Sequence, residues 1–180
     1  MSSREFTSKP ADTGSKEKFA HVNRKNQYYG DPYLNGESPA EVTICRECRS
    51  VYANGRWELE SQAGRDLALA KHVSETLCPA CRKIRDRMPG GVVTLGGSFV
   101  RDHEEEIINL VNHENLSAMA INPLERIMDI EKRDSEITVL TTNEKLAQRI
   151  GRSVHKAYSG EVEYKWSKGT KLARVNWHRD

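Results

Sequence analysis

Apolar positions are sparse at the start of the chain and become periodic only after about residue 40. Ser, Thr, Lys, Glu, Asn and Gly dominate the first stretch. Too little apolar surface is available there to offset the entropy of ordering, so 1–40 is expected to be a disordered tail. Its exception is a run holding Tyr28, Tyr29, Tyr33 and Leu34 around an Asp31-Pro32 turn. That run is suited to dock on the body of the protein or on a partner. From 41 the pattern tightens. Val42, Thr43 and Ile44 form a short strand, and two further strands flank Asn54-Gly55, a strong hairpin signal: Val51-Tyr52-Ala53 and Trp57-Glu58-Leu59. Leu67, Ala68 and Ala70, with Leu69 and Val73 four apart, predict a helix over 61–74. A second short helix over 82–87 stops at Met88-Pro89-Gly90-Gly91, where a domain boundary is expected.

Beyond that boundary the order is strand, helix, strand, strand, helix, strand, with one strand added. Val92 to Leu95 form the first strand. A helix over 101–112 turns Ile107, Ile108, Leu110 and Val111 inward and carries acids in its first turn, where the helix dipole favours them. Strands over 126–130 and 136–140 pair as a hairpin. Thr141 to Glu144 have capping-box spacing and open a helix with Leu146, Ala147, Ile150, Val154 and Ala157 inward, ended by Gly160. Val162, Tyr164 and Trp166 alternate along the next strand, Ser167 to Thr170 turn the chain, and Ala173, Val175 and Trp177 alternate along the last. The fold class expected is therefore α+β: a tail (1–40), a small treble-clef or zinc-ribbon-like module (41–90) and a ferredoxin-like βαββαβ domain (91–180) with two helices on one face of an antiparallel sheet. Ile107, Val111, Val139, Ile150, Val154 and Val175 should be buried.

Composition narrows the class. Of 180 residues, 37% are hydrophobic and 30% charged, which is polar for a chain with one large core. No apolar run is long enough to span a bilayer, and no apolar segment follows the first residues, so neither a membrane span nor a secretory signal is expected. A soluble protein of the reducing cytoplasm follows. The net charge of +2 conceals asymmetry: carboxylates outnumber bases over 101–136, and bases outnumber carboxylates from Lys145 onward. A basic end of that kind suits a phosphate backbone, although most single charge runs are solvated surface.

The four cysteines change the picture most. Cys45-Arg46-Glu47-Cys48 and Cys78-Pro79-Ala80-Cys81 are two C-x-x-C pairs, and no other cysteine is present. Each pair can aim two sulfurs at one tetrahedral ion, and two pairs close the shell, so a structural Zn2+ site with no open position for water is expected. Two redox motifs would want a βαβ context that is absent, and two disulfides would want an oxidising compartment. His72 lies near the second pair as a substitute ligand, but four thiolates already suffice.

Arginines crowd these turns. Arg46 and Arg49 belong to the first, Arg56 and Trp57 to the hairpin, and Arg82, Lys83, Arg85 and Arg87 follow the second. Guanidinium groups on a metal-fixed turn suit phosphate recognition, and Trp57 either stacks on a base or plugs a module too small for its own core. Catalytic patterns are missing: no H-E-x-x-H surrounds His103 and Glu104, and no Walker loop, G-x-S-x-G or G-x-G-x-x-G occurs. No enzymatic activity and no small-molecule substrate are expected.

The C-R-E-C and C-P-A-C pairs, followed by T-T-N-E-K-L-A-Q-R-I-G-R-S-V and a G-E-V-E-Y strand, resemble the zinc-binding and following α/β portions of large-ribosomal-subunit nuclear-export adaptors, and more closely their short bacterial or archaeal relatives. The similarity covers about 41–180. This chain has two cysteine pairs where the long adaptors carry more, and it lacks their export tail, so nuclear shuttling is not implied. What the resemblance implies is a ribosome-associated protein bound to ribosomal RNA of the large subunit or its precursor, in assembly, quality control or dormancy. Two alternatives remain open: a protein–protein adaptor working through the acidic helix and the Tyr-rich tail, and a zinc-dependent enzyme.

Overall fold

The computed structural model of the chain describes residues 31–34, 39, 41–167 and 172–180. Most of the expected tail, including Tyr28 and Tyr29, and the turn residues Lys168 to Thr170 lie outside the described residues.

The cysteine module is built on a small four-stranded sheet. It comprises β1 (Thr43–Cys45), β2 (Val51–Ala53), β3 (Arg56–Glu58), α1 (Gly64–Leu69), β4 (Ser74–Thr76) and α2 (Pro79–Asp86), with strand order β3-β2-β1-β4. Asn54 and Gly55 adopt positive φ (52° and 81°), the geometry of a two-residue turn whose twist matches the strands it joins. The helix expected over 61–74 is cut to six residues. Leu69 and Val73 find nothing to cover them and stay exposed (76% and 43%). Ser74 to Thr76 leave the helix to pair in parallel with β1, and the Thr43 and Ser74 hydroxyls meet at 2.7 Å. Nonlocal backbone pairing thus overrides a local helical pattern. Helix α2 starts earlier than expected, because Cys78 caps it and Pro79 occupies its first turn.

The second unit comprises β5 (Gly91–Gly96), α3 (Ser98–Asp102), α4 (Glu104–Ile121), β6 (Ile127–Arg133), β7 (Glu136–Thr141), α5 (Glu144–Tyr158), β8 (Glu161–Trp166) and β9 (Ala173–His178). Its sheet runs β6-β7-β5-β9-β8. A ferredoxin-like sheet would set the strand after the second helix beside β5. Here β9 takes that place, parallel to β5, and β8 moves to the edge, so the sheet is not wholly antiparallel. Side-chain character accounts for the exchange. Ala173, Val175 and Trp177 of β9 are at most 1% exposed, whereas β8 carries Glu161, Glu163 and Lys165 on one face and leaves Trp166 58% exposed. Charge belongs on an edge strand, where it discourages further pairing.

All six residues expected in the core, Ile107, Val111, Val139, Ile150, Val154 and Val175, are fully buried. Ala157, expected inward, is exposed in the last turn of α5. The cap of α5 is not Thr141 but Asn143, whose side chain accepts from the Leu146 N–H at 3.0 Å. The first helix runs nine residues past 112, to Ile121, after a break at His103. Leu, Ala and Met sustain it, and it stops before Pro123. No helix among the described residues is long and apolar enough to cross a membrane.

The expected boundary at Pro89-Gly90-Gly91 is a tight junction. Gly90 and Gly91 are buried, and the Gly90 N–H donates to the Thr141 carbonyl at 2.8 Å. A Cβ on Gly91 would fall 2.4 Å from the Ala147 Cβ, so only glycine lets β5 pass this close to α5.

Candidate metal centre

Each cysteine pair is presented by a different local device. The first lies on a knuckle. Cys45 ends β1, the chain turns through Arg46 to Cys48, and Arg49 adopts a left-handed conformation (φ 64°) that returns the backbone to β2. The Cys45 N–H donates to the Ser50 carbonyl at 2.8 Å, and the Arg49 N–H to the Cys45 carbonyl at 2.9 Å. The second pair lies in the first turn of α2, where free N–H groups point at the sulfurs. The Cys81 N–H donates to the Cys78 Sγ at 3.4 Å, and the Cys78 N–H to the Cys45 Sγ at 3.3 Å.

The four sulfurs lie within 4.8 Å of one another, and none is in a disulfide. Cys45, Cys78 and Cys81 are buried and Cys48 is half-buried. A tetrahedron with arms of about 2.3 Å has edges near 3.8 Å, and the Cys48 and Cys78 sulfurs stand 3.7 Å apart. Position, burial and ligand chemistry therefore fit one tetrahedrally bound ion.

The electrostatics point the same way. The Cys48 thiol is drawn down to about 3 because its thiolate accepts from the Cys78 S–H, from Ser50 and from Arg126. Cys78 is pushed up by that same hydrogen bond and by burial, and Cys81 rises to about 12 through burial and the charge on Cys48. The thiolate on Cys48 thus opposes ionisation of Cys78 and Cys81 beside it, and a divalent cation between them would relieve that opposition.

Arg126 was not marked by its sequence context. From the start of the second sheet it donates through Nη2 to the Cys48 Sγ (2.9 Å) and the Ser50 Oγ (3.0 Å), with Nη1 3.8 Å from the Cys81 Sγ. Its backbone is held in turn: its N–H donates to the Thr142 Oγ1 and its carbonyl accepts from the Thr142 N–H, both at 2.9 Å. Such outer groups orient ligands and tune a metal site. The one available signal was a lone arginine just before an apolar strand in an acidic stretch. His72, the substitute ligand, is exposed and outside the cluster.

The eight residues expected to contact RNA separate into three groups. Arg46, Arg49, Arg56, Arg85 and Arg87 are exposed, with Arg49 paired to Glu60 at 3.0 Å, Arg85 to Asp86 at 3.2 Å and Arg56 to Glu58. Such exposed pairs are weak. Trp57 is half-buried against the cysteine cluster and meets the Tyr52 ring edge-on at 5.5 Å, while Arg82 is half-buried and donates to the Tyr33 carbonyl at 3.1 Å. Lys83 is the exception. It is 7% exposed, its ammonium pairs with the buried Asp31 carboxylate, and it donates to the Thr142 carbonyl at 2.8 Å. A lysine so enclosed has no charge left for phosphate, so it belongs to the scaffold. The tyrosine turn supplies its partner: Tyr33 Oη donates to Asp86 at 3.0 Å, and this short segment docks on α2.

The basic C-terminal stretch is also partly spent internally. Arg149 pairs with Glu114 at 2.5 Å, Lys165 with Glu163 at 2.8 Å, and Arg179 lies 4.1 Å over the Phe99 ring. Comparison with protein-family models, with curated proteins and with solved structures gives no match for this chain.

Proposed function

We propose that this chain is a non-catalytic zinc protein whose metal-fixed module binds structured RNA, namely ribosomal RNA of the large subunit or its precursor, in the cytoplasm. Zinc is the ion that four thiolates at tetrahedral spacing suit best. A shell completed by four protein sulfurs leaves no position for water or substrate, which favours a structural role over a hydrolytic one. In this reading the knuckle and the first turn of α2 form a treble-clef-like unit, and the second sheet is a ferredoxin-like domain with a strand inserted beside β5.

The observation that carries the RNA reading is the backbone of two arginines. Arg49 closes the first cysteine turn and Arg87 ends the helix bearing the second, and both hold a left-handed conformation (φ 64° and 52°). Glycine or asparagine would sit there at lower cost, since a left-handed residue with a Cβ costs about 1–2 kcal/mol. Exposed guanidinium groups at both places support a functional demand for charge on this scaffold. The resemblance to ribosome export adaptors points to the same partner. Arg46, Arg49, Arg85 and Arg87 are the exposed phosphate-contacting set carried by the two cysteine turns and the end of α2, and Lys83 is not part of it.

Co-sedimentation with ribosomal particles from a lysate tests this. Wild type should travel with large-subunit particles at low salt, and the Arg46→Glu, Arg49→Glu, Arg85→Glu, Arg87→Glu variant should be released while keeping its metal. Equal co-sedimentation of both would remove this surface as the RNA site. The adaptor reading draws on exposed Leu116 (65%) and Ile121 (79%) of α4. It predicts a protein partner retained after nuclease treatment and indifferent to the arginine reversals.

A further inference from the structure

Three of the expected RNA contacts, from two separate stretches of sequence, meet in one place. Arg56, Trp57 and Arg82 line an open groove of about 600 Å3 between the cysteine module and the C-terminal end of α4. Tyr33 and Tyr52 share its wall, and Asn122 adds a polar edge. A volume of this size falls within the roughly 300–1,000 Å3 of pockets that take compact organic ligands. From these residues we infer that the groove takes an unpaired nucleotide of single-stranded RNA, with the base against Trp57 and its phosphate on Arg56 and Arg82. The inference rests on the RNA reading above and deepens it, since it specifies unpaired RNA and a site for the base.

The chemistry of the lining selects this occupant. No carboxylate lines the groove among the described residues, whereas two guanidinium groups do; Arg56 also pairs through Nε with the Glu58 carboxylate, which leaves its Nη groups for a phosphate. Arg82 spends an Nη2 hydrogen on the Tyr33 carbonyl, and its Nε is buried with no partner among the described residues. A guanidinium has five donors, so this fork has capacity to spare. Trp57 is already positioned: it packs against the cysteine cluster and is braced by the Tyr52 ring at 5.5 Å and 60°. A platform fixed before binding has little order left to lose. An unpaired nucleotide offers a flat base for the ring and an anion for the arginines within one residue. A duplex keeps its bases stacked and offers only the anion.

The zinc-loaded full chain is titrated with a short oligouridylate and with an RNA duplex of equal length, following the Trp57 indole N–H resonance, which is identified by its loss in Trp57→Phe. The single strand should bind about tenfold more tightly than the duplex and shift that resonance. Trp57→Leu should lose about tenfold in single-strand affinity with duplex affinity unchanged, and Trp57→Phe should keep most of it. Where Trp57→Leu fails to retain metal, the Arg56→Gln, Arg82→Gln variant decides, with a loss of about tenfold in single-strand affinity expected. Single-strand affinity that survives these changes in metal-replete protein overturns the inference and leaves the RNA reading standing. A groove whose indole answers to a proline-rich peptide, or to protein concentration alone, and not to RNA also overturns it. Absence of binding to any RNA overturns both.

Discussion

The two sheets of this protein hold together by different means. The five-stranded unit has a conventional interior: Leu95, Ile107, Ile137, Val139, Leu146, Ile150 and Trp177 are each at most 1% exposed, and α5 lies across β5, β7, β8 and β9 with α4 packed against it. The four-stranded unit has strands of three residues, a helix with no buried side chain, and two small apolar clusters, one of Ile44, Val51, Ala53 and Ala63 and one made chiefly of the cysteines. Hydrophobic burial suffices for the first. The second has too little of it and needs a cross-link, as modules of this size commonly do. The contrast teaches that a metal held by the cysteine cluster would supplement a small core here. It also teaches that the larger unit steadies the smaller, through Lys83 to Thr142 and Arg126 to Cys48.

Removing the metal should separate the two units most sharply. Structural zinc sites supply about 10–16 kcal/mol of binding free energy, which in so small a module is folding free energy. Cys78→Ser should lose the ion and unfold 41–88, while 91–180 retains its fold. Amide hydrogen exchange resolved by segment checks this, and uniform loss of protection across both sheets would show that the second is not self-sufficient.

A smaller effect should follow from the junction. Lys83→Met leaves the Asp31 carboxylate buried without its cation, and breaking a buried pair costs about 3–5 kcal/mol. Denaturant unfolding of the metal-loaded variant should register that loss, and Asp31→Asn added to Lys83→Met should recover part of it. A loss below 1 kcal/mol, the range of an exposed pair, would mean that this pair is solvated in solution.

The smallest change belongs to Arg126. Outer-shell groups are worth about 10–100-fold in metal affinity. Arg126→Met should therefore weaken zinc retention by about tenfold in a chelator competition, with the second sheet unaffected. Unchanged affinity would reduce Arg126 to a packing contact.

What could be read in the sequence follows the same division. The two C-x-x-C turns, the Asn54-Gly55 turn and the buried face of α5 as far as Val154 depend on neighbours a few residues away, and each was legible, although Ala157 beyond it is exposed. Features set by distant partners were not. Ser74 read as the end of a helix because the pairing of Ser74 to Thr76 with β1 is nonlocal. Lys83 read as surface because its partner, Asp31, lies 52 residues back in a polar segment. Arg126 contacts Cys48 across 78 residues, and no local pattern announces that. Insertion of β9 beside β5 depended on competition between two alternating strands, which period alone does not rank.

The claim on which the account turns is that the metal-fixed surface is what holds RNA. Measuring affinity for a structured large-subunit RNA fragment across a salt series, for wild type and for the Cys45→Ser, Cys78→Ser variant, tests it most directly. Several phosphate contacts should give wild type a steep linear fall of log affinity with log salt, because each neutralised phosphate releases about 0.9 counterion on a duplex. The cysteine variant should bind more weakly, with a shallower slope, while its second sheet stays folded. Identical affinity and slope in the two proteins would contradict the account, because RNA would then be held by a surface that needs no metal.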